Sequence, residues 1–499
     1  NQWIFTMVRV FSNCKKIFKL KNYTDIIIIG AGLSGIGAAC HLERKNPEKS
    51  YKIFEAREEL GGTWSLFKYP GIRSDSDMYT FGFSFKTWDN PKSFADAPNI
   101  LKYLKEAAEE YKIKEKIKYQ AKVIKANFDT SNKLWSLTVI NKNNKKSQHY
   151  SRFLFSCTGY YNYDEGYTPK FKGIEKFKGK IVHPQNWPND LDYTNKKVVV
   201  IGSGATAVTI VPEMAKKTSK ITMLQRSPTY VGAFPNNDKY AKFIKRCLPK
   251  KFAHKLIRFK NIFIQILFFN ACKIWPNYIK RLLVNAAQKK LGNFPAKPHF
   301  EPNYNPWDQR FCIAPDGDLF KAIRSGKANV VTDKIDSFNK NGLKLISGKN
   351  LEADIIISAT GLKLLAFGGS KISIDNSIYN PSEAVTYKGL MLSGLPNCIF
   401  FAGYTNASWT LKSDLTSEYA NRLFKFMKKN NYEYFMPKVI KSEMSIFPLL
   451  NLNSGYIHRA SNMFPKQGSK FPWKLYQNYF LDYKMLRINK IKDKNLILK

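Results

Sequence analysis

The chain has 499 residues and a formal net charge of +43, a length that suggests two or three domains with ample core. It contains no uninterrupted apolar run of about 18 residues, which argues against a membrane-spanning helix. Its seven cysteines form neither a CxxC nor a CxxxxC pair, so no metal site and no redox disulfide is indicated. Scattered thiols suit a reducing compartment, and we predict a cytoplasmic protein.

Lysine carries most of the positive charge. Of the 81 basic residues only 14 are arginine, whereas proteins that read nucleic acids depend on arginine for bidentate contacts. We therefore expect no nucleic-acid partner and interpret the charge as compositional drift with a solvated lysine surface.

The first 20 residues carry apolar and basic side chains but no small-residue cleavage site after an apolar core. They match a secretory signal poorly. We expect an upstream extension, and the sequence leaves open whether it belongs to the mature protein.

A glycine turn between two apolar runs dominates the N-terminal part. Ile26–Ile29 is followed by Gly30, Gly32 and Gly35 in GxGxxG spacing, and a second apolar run ends on Glu55. This order of strand, turn, helix, strand and acid is typical of a dinucleotide site, with the pyrophosphate at the helix N-terminus and the acid on ribose hydroxyls. From these residues alone the dinucleotide could be FAD or NAD.

The next segments predict a structured loop, a helix and several strands. Gly61–Asp75 holds three glycines, a proline and three aromatic residues, which indicates a loop able to cover a flat ring system. Helical spacing runs over 98–116, and strand-like runs follow at Ile117–Phe128, Trp135–Ile140 and Arg152–Cys157.

A second glycine turn follows the strand Lys197–Ile201. The turn Gly202-Ser203-Gly204-Ala205-Thr206-Ala207 leads into a helix, and the next strand, Ile221–Leu224, is followed by Arg226 rather than by an acid. A carboxylate would repel a 2′-phosphate, whereas an arginine accommodates it. The first turn therefore favours a free ribose hydroxyl, and the second favours NADPH.

A basic segment then interrupts the α/β pattern. Fourteen Lys and Arg lie between Lys239 and Lys290, and apolar residues such as Ile262–Phe269 run among them. We predict a helical insertion whose apolar positions pack in the core. The alternative is a basic amphipathic face on a membrane surface.

The remaining pattern places one arginine in a braced loop and adds further elements. Arg310 lies in Tyr304–Cys312, between Pro306, Trp307 and Cys312. Strands are predicted at Asn329–Thr332, Leu343–Ile346, Asp354–Ile357 and 399–406 with its turn, and a helix is predicted at Leu415–Lys429.

Several motifs together resemble the class B flavoprotein monooxygenases of the Baeyer–Villiger type. The fingerprint of that family matches at Phe177, Gly179, His183, Trp187 and Pro188. A second signature matches at Gly61-Gly62-x-Trp64 and Tyr69-Pro70-Gly71-x-x-x-Asp75. The runs Tyr304–Cys312 and Gly403–Leu411 look most like the ethionamide-activating branch.

The resemblance implies an α/β fold with two Rossmann-like, doubly wound dinucleotide-binding domains and a helical insertion. We expect an FAD-binding domain from 21–160 and 362–499, the latter with a C-terminal tail, and an NADPH-binding domain from 161–230 and 318–361. The insertion would cover 231–317. Oligomeric state is left open.

The resemblance also implies a reaction. NADPH would reduce FAD, and dioxygen would give a C4a-peroxyflavin that inserts one oxygen atom into a ketone to form an ester or lactone. The same oxidant can transfer oxygen to sulfur compounds. The family match makes Arg310 the candidate for stabilising oxyanion charge, with Asp75 holding it as an ion pair.

The remaining site residues are carried over from the family motifs. His183 and Trp187, with the rest of the fingerprint, are expected to couple domain movement to NADP. The FAD contacts would be Gly30, Gly32, Ser34, Gly35, Glu55, Thr63, Trp64, Ser65, Leu66, Asp75 and Val123. The NADPH contacts would be Arg73, Ser74, Asp75, Gly202, Ser203, Gly204, Ala205, Thr206, Ala207, Val208, Arg226 and Ser227.

Three rival functions are open at this point. One is a flavin monooxygenase that oxygenates nitrogen or sulfur but not ketones. A flavin disulfide reductase would need a close cysteine pair, which the sequence lacks. The third is a basic, membrane-associated protein that keeps only the nucleotide fold.

Overall fold

A nine-stranded sheet forms the centre of the larger unit in the computed structural model, which describes residues 20–449, 459 and 462–499. Tyr23–Ile29 lies between Tyr51–Phe54 and Lys146–Ser156 and runs parallel to both. In sheet order the strands are Ser377–Ile378, Lys371–Ile374, Ala121–Asp129, Leu134–Asn141, Lys146–Ser156, Tyr23–Ile29, Tyr51–Phe54 and Ile117–Lys118, and Cys398–Phe400 also pairs with Lys146–Ser156.

A five-stranded, wholly parallel sheet forms the second unit. Its strands in sheet order are Ala328–Thr332, Lys220–Gln225, Lys197–Ile201, Ile355–Ser358 and Lys180–Val182. Most of its strand positions are buried on both faces, as expected for a parallel sheet covered by other elements.

Small sheets of two or three strands lie outside these two large sheets. They are Val231–Phe234 with Cys312–Pro315, Ile335–Asn339 with Gly342–Leu345 and Asn350–Glu352, Tyr161–Gly166 with Leu362–Leu364, Thr386–Tyr387 with Met391–Leu392, Phe435–Pro437 with Leu496–Leu498, and Ile446–Pro448 with Lys466–Gly468.

The α-helices of the described residues vary from one turn to seven. They span Leu33–Lys45, Thr63–Leu66, Met78–Phe81, Ala97–Glu110, Ala205–Met214, Lys239–Cys247, Lys250–Ile274, Pro276–Leu291, Asp318–Arg324, Trp409–Lys429 and Tyr479–Tyr483, and a π-helical turn covers Lys484–Ile488. Within the described part of the chain, no helix is both long and apolar enough to cross a membrane.

Three helices between 239 and 291 pack against both sheet units. Ala241 and Ile257 join the core beside the nine-stranded sheet, whereas Val284, Ala287 and Leu291 join the core of the five-stranded sheet. These helices lie inside the predicted insertion, and the segment therefore braces the two units against each other.

The predicted fold class is confirmed: two α/β units of doubly wound type carry a helical insertion. Strands of the larger sheet come from 23–156 and 371–400, and those of the smaller sheet from 180–225 and 328–358. The exact domain limits stay predictions. The expectation for residues 1–20 falls, apart from Leu20, outside the described residues.

Two elements differ from the sequence prediction for local reasons. The helix predicted over 98–116 ends at Glu110, because Lys112 adopts a left-handed conformation with φ of 51°. The strand predicted as Ile117–Phe128 is split near Gln120, which has φ of 50° and donates its N–H to the Arg57 carbonyl. The hydrophobic periodicity of a sequence does not reveal a change of backbone conformation at a single residue.

Candidate functional site

A cavity of about 480 Å³ opens at the carboxyl end of Tyr23–Ile29. Gly30, Gly32, Ser34, Arg310 and Trp409 are among the residues that line it. Ligands of open α/β sheets bind outside the carboxyl ends of the parallel strands, so the cavity lies where a dinucleotide is expected.

The first glycine turn is packed as tightly as its sequence predicts. Gly30 has φ of +100°, and a Cβ there would lie 2.6 Å from the carbonyl oxygen of Cys157. A Cβ on Gly35 would overlap the carbonyl oxygen of Gly30. The helix Leu33–Lys45 can therefore start close against the strand, with its N-terminus at the cavity.

Glu55 is buried at the end of the second strand and lines the cavity. Its carboxylate accepts the N–H of Ala31 at 2.7 Å and the N–H of Arg57 at 2.9 Å. Burial raises the pKa of Glu55, while these two hydrogen bonds oppose the rise. The carboxylate thus both braces the glycine turn and presents an acceptor toward the cavity.

The loop after Glu55 is held rigidly. The Arg57 guanidinium donates to the carbonyl of Gly62 at 3.1 Å and to Ser65 Oγ at 2.6 Å. Thr63 Oγ1 lies 3.2 Å from the hydroxyl of Tyr163. These contacts fix one wall of the cavity without any bound group.

Eight of the predicted FAD contacts line this cavity: Gly30, Gly32, Ser34, Glu55, Thr63, Trp64, Asp75 and Val123. Gly35, Ser65 and Leu66 do not. Gly35 serves the close packing of the helix, and Ser65 is buried behind Gly62. A helix N-terminus and a buried carboxylate beside the same glycine turn, both at the cavity, fit an adenine dinucleotide.

Arg310 meets Asp75 at the cavity. Arg310 Nη1 lies 3.9 Å from Asp75 Oδ2, and Arg310 Nη2 donates to the Tyr160 hydroxyl at 3.1 Å. Both members of the ion pair are about a third exposed, so the pair orients the guanidinium more than it stabilises the fold. Burial raises the pKa of the neighbouring Cys312 thiol to about 12, which keeps it protonated.

Two aromatic residues that line this end of the cavity were not among the predicted site residues. The ring centroid of Tyr160 lies 5.2 Å from that of Trp409, and Trp409 Nε1 donates to Ser34 Oγ at 2.8 Å. Tyr160 follows a predicted strand that ends on a glycine, a place where a sheet edge often meets a ligand. Trp409 begins its helix six residues earlier than the predicted start at Leu415.

The second glycine turn precedes the helix Ala205–Met214 in the same arrangement as the first. Ser203 Oγ donates to the carbonyl of Ser227 at 3.0 Å and lies 3.1 Å from Thr229 Oγ1. A Cβ on Gly204 would meet nothing within 4 Å. The start of this helix therefore presents free backbone donors beside the end of the next strand, as a pyrophosphate site requires.

The other predicted NADPH contacts fall into three settings. Ala205 and Arg226 are exposed at the second turn, with Thr206 and Ser227 half-buried beside them. Ser74 and Asp75 line the cavity of the first turn. Ala207 and Val208 are fully buried in the core, so only their backbone could face a cofactor.

Arg73 is held by a carboxylate from the five-stranded unit. Its guanidinium forms a two-pronged ion pair with Asp318, one bond being Nη2 to Oδ1 at 3.2 Å. Nearby, Phe67 and Tyr69 of the same loop are buried in the core of the five-stranded unit. The loop 61–75 thus runs from the wall of the first cavity to the second unit.

His183 does not line the described cavity. Its Nδ1 accepts the N–H of Gln185 at 3.2 Å, so the neutral ring donates from Nε2 to the carbonyl of Gly361 at 3.1 Å. Burial lowers the pKa of His183, against the effect of the Gly361 carbonyl. The histidine therefore joins the segment 180–188 to the crossover after Ile355–Ser358.

The rest of the fingerprint lies in the same region. Phe177 is buried 6.4 Å, centroid to centroid, from Phe338. A Cβ on Gly179 would overlap the Asp354 carbonyl oxygen. Trp187 packs on the core of the five-stranded unit, and Pro188 is exposed. None of these residues lines the cavity at the first glycine turn.

Comparison with known proteins identifies the class of protein to which this fold and site belong. The family model described as flavin-binding monooxygenase-like matches residues 23–259. The chain belongs to this family of flavin-binding monooxygenases, since a relative named below is also similar over nearly the whole chain. The predicted family resemblance is confirmed.

Individual relatives define the branch. The FAD-containing monooxygenase EthA of Mycolicibacterium smegmatis is 47% identical over 479 residues, which is 96% of this chain and 97% of that protein. A crystal structure of OTEMO in complex with FAD and NADP has a TM-score of 0.66 at 22% identity, covering 83% of this chain and 88% of that one. An oxidised steroid monooxygenase bound to NADP has a TM-score of 0.69 at 20% identity, covering 84% and 88%.

Proposed function

We propose that this protein is an NADPH- and O2-dependent flavin monooxygenase that inserts one oxygen atom into ketones, giving esters or lactones, and that also oxygenates sulfur compounds. The predicted cofactors, FAD and NADP(H), agree with the relatives' names and bound groups. FAD, when bound, takes electrons from NADPH and supplies activated dioxygen for the transfer. We place the enzyme in the cytoplasm.

One observation carries the ketone assignment: a guanidinium lines the same cavity as the first glycine turn. Oxygen insertion into a ketone places negative charge on the carbonyl oxygen of the substrate. Arg310 keeps its charge at every relevant pH, and donors fixed before reaction stabilise such charge best. Asp75 and the Tyr160 hydroxyl hold the guanidinium in place.

The two cofactors are assigned to the two turns by their charges. Gly30, Ser34 and Glu55 hold FAD at the first turn. Gly204 and Arg226 hold NADPH at the second, where the arginine meets the 2′-phosphate. The ion pair with Asp318 holds the Arg73 side chain between the two units.

The fingerprint residues control the approach of the two units. His183 and Gly361 tie the linker to the crossover from the five-stranded sheet, and movement of that sheet therefore moves the linker. His183 is a positioning residue, not a general base, because it does not line the described cavity.

The deciding experiment incubates the FAD-loaded protein with NADPH, O2 and a panel of linear, cyclic and aryl ketones together with thioamides. Mass analysis should find a product one oxygen heavier for each accepted compound, and esters or lactones from the ketones. Sulfur oxygenation without any ester would support the rival, an enzyme restricted to sulfur and nitrogen. Protein that neither holds flavin nor consumes NADPH would contradict both.

A further inference from the structure

Exposed apolar side chains are concentrated in the helical insertion. Of the 23 large hydrophobic side chains that are exposed among the described residues, 12 lie between Tyr240 and Leu282. This segment is less than a tenth of the chain. Single exposed hydrophobic residues are normal, but a cluster of this kind marks an interaction surface.

The exposed residues of the longest helix form one stripe. Phe252, Leu256, Phe259, Phe263 and Leu267 follow one another at intervals of three or four along Lys250–Ile274, which places them on one helix face. The rings of Phe259 and Phe263 stack at 6.5 Å between centroids. The helix is about 37 Å long, at 1.5 Å per residue, and the stripe covers much of it.

Core packing accounts for a different face of the same helix. Ile257 and Ile262 are fully buried, and Gln265 and Phe269 line a small cavity of about 50 Å³ against the 404–411 segment. The helix is thus apolar on its inward and its outward face. The interpretation of its apolar positions as core residues explains only the inward one.

Basic side chains flank the N-terminal part of the outward stripe. Lys242, Lys251 and Lys255 are exposed on the same two helices. Further along, Trp275 and Tyr278 are exposed at 60% and 56%, and such amphipathic rings favour the water–lipid boundary. An apolar stripe rimmed by lysine is the composition of helices that lie in the plane of an anionic bilayer surface.

We propose that the stripe Phe252, Leu256, Phe259, Phe263 and Leu267 docks the protein on an anionic lipid bilayer, with the helix lying on the surface and not crossing it. A second copy of this chain fits less well, because two lysine-rimmed faces repel each other. Nucleic acid would match the charge but would leave the aliphatic and phenyl groups in water.

The test is flotation of the FAD-loaded full chain with vesicles of phosphatidylcholine, with and without phosphatidylglycerol. Wild-type protein should float with the anionic vesicles and be released by high salt. The variant Phe252→Ser/Phe263→Ser/Leu267→Ser should partition at least about tenfold more weakly. Lys251→Glu/Lys255→Glu should lose the preference for phosphatidylglycerol.

A matched control uses three hydrophobic residues exposed elsewhere. Ile346→Ser/Ile378→Ser/Phe447→Ser removes side chains that are 63%, 85% and 49% exposed and should float like wild type. Flavin content and circular dichroism verify folding, so the result does not depend on the reaction catalysed. The proposal is overturned if wild-type protein does not float, if both triple variants bind equally, or if the stripe variant only converts a dimer into a monomer.

Discussion

Arg310 connects side chains from separate segments at the cavity. Its guanidinium reaches Asp75 and the Tyr160 hydroxyl, which come from distant parts of the chain. Tyr160 in turn lies against Trp409. Four side chains from four segments therefore set one charge at one place, and Trp409 also links them to Ser34 at the first glycine turn.

Replacing Arg310 with alanine should separate the two halves of the reaction. Hydride transfer from NADPH needs no charge on the substrate oxygen, so flavin reduction in stopped flow should persist. Ester formation should fall by about 10²–10³-fold, the cost of losing one oxyanion donor. Tyr160→Phe removes only one hydrogen-bond partner of Arg310 and should lower ester formation less. If Arg310→Ala forms ester near the wild-type rate, Arg310 does not stabilise the oxyanion.

We propose that the choice between NADPH and NADH depends on Arg226. It is exposed directly after the strand Lys220–Gln225, so a 2′-phosphate can reach its guanidinium from solvent. Arg226→Ala should raise KM for NADPH by about tenfold or more and leave KM for NADH nearly unchanged. Equal losses with the two cofactors would contradict this assignment.

At the scale of elements, a buried ion network ties the insertion to the nine-stranded unit. Arg258 donates to the carbonyls of Tyr79 and Gly82 at 2.8 and 2.7 Å and pairs with Asp414 at 3.2 Å. Burial alone would raise the pKa of Asp414, but His41 and Arg258 outweigh it and the pKa is lowered. The helix is thus fixed by charge as well as by packing.

Breaking that network should be costly. Arg258→Met removes the guanidinium from Asp414, which keeps His41 and the Ser84 N–H, and from three backbone carbonyl groups. Removal of one member of a buried pair costs about 3–5 kcal/mol. Urea unfolding should report that loss. Lys255→Met on the exposed face of the same helix should change stability by about 0.5 kcal/mol or less, and a similar loss in both variants would contradict the argument.

One buried histidine and three half-buried ones couple the stability of the whole protein to pH. Burial lowers the pKa of His183 and His299, and that of His149 and His254 to about 4. His254 is 3% exposed and lies near Arg258 and Lys245, which also disfavour its charged form, while Asp89 opposes them weakly. These rings are neutral in the folded protein.

Protonation of these rings at low pH should therefore destabilise the folded protein. A group with a lowered folded-state pKa gives its full stability above the ordinary value of 6.5 and loses it as pH falls toward the folded-state pKa. His254 alone should cost about 2 kcal/mol between pH 7 and pH 5. Denaturant unfolding of His254→Leu should show a correspondingly smaller pH dependence, and an unchanged slope would remove His254 from this account.

Much of the cofactor geometry was accessible from sequence because it is local. Gly30, Gly35 and Glu55 lie within 26 residues. The backbone packs so closely at Gly30 and Gly35 that only glycine fits between the strand and the helix. The split near Gln120 and the early start of the helix at Trp409 were missed, because a single backbone reversal or one added turn does not change hydrophobic periodicity.

The sequence by itself determined the two glycine turns, the acid and the arginine that distinguish them, and the family. It could not determine which face of the insertion is buried, because Lys250–Ile274 carries apolar residues on more than one face and a helical pattern does not say where the core lies. Only the tertiary structure decided that Ile257 packs inward and Phe263 outward. It also brought Asp75, Tyr160 and Arg310 together, because contacts between distant segments depend on how the two sheets and the insertion pack.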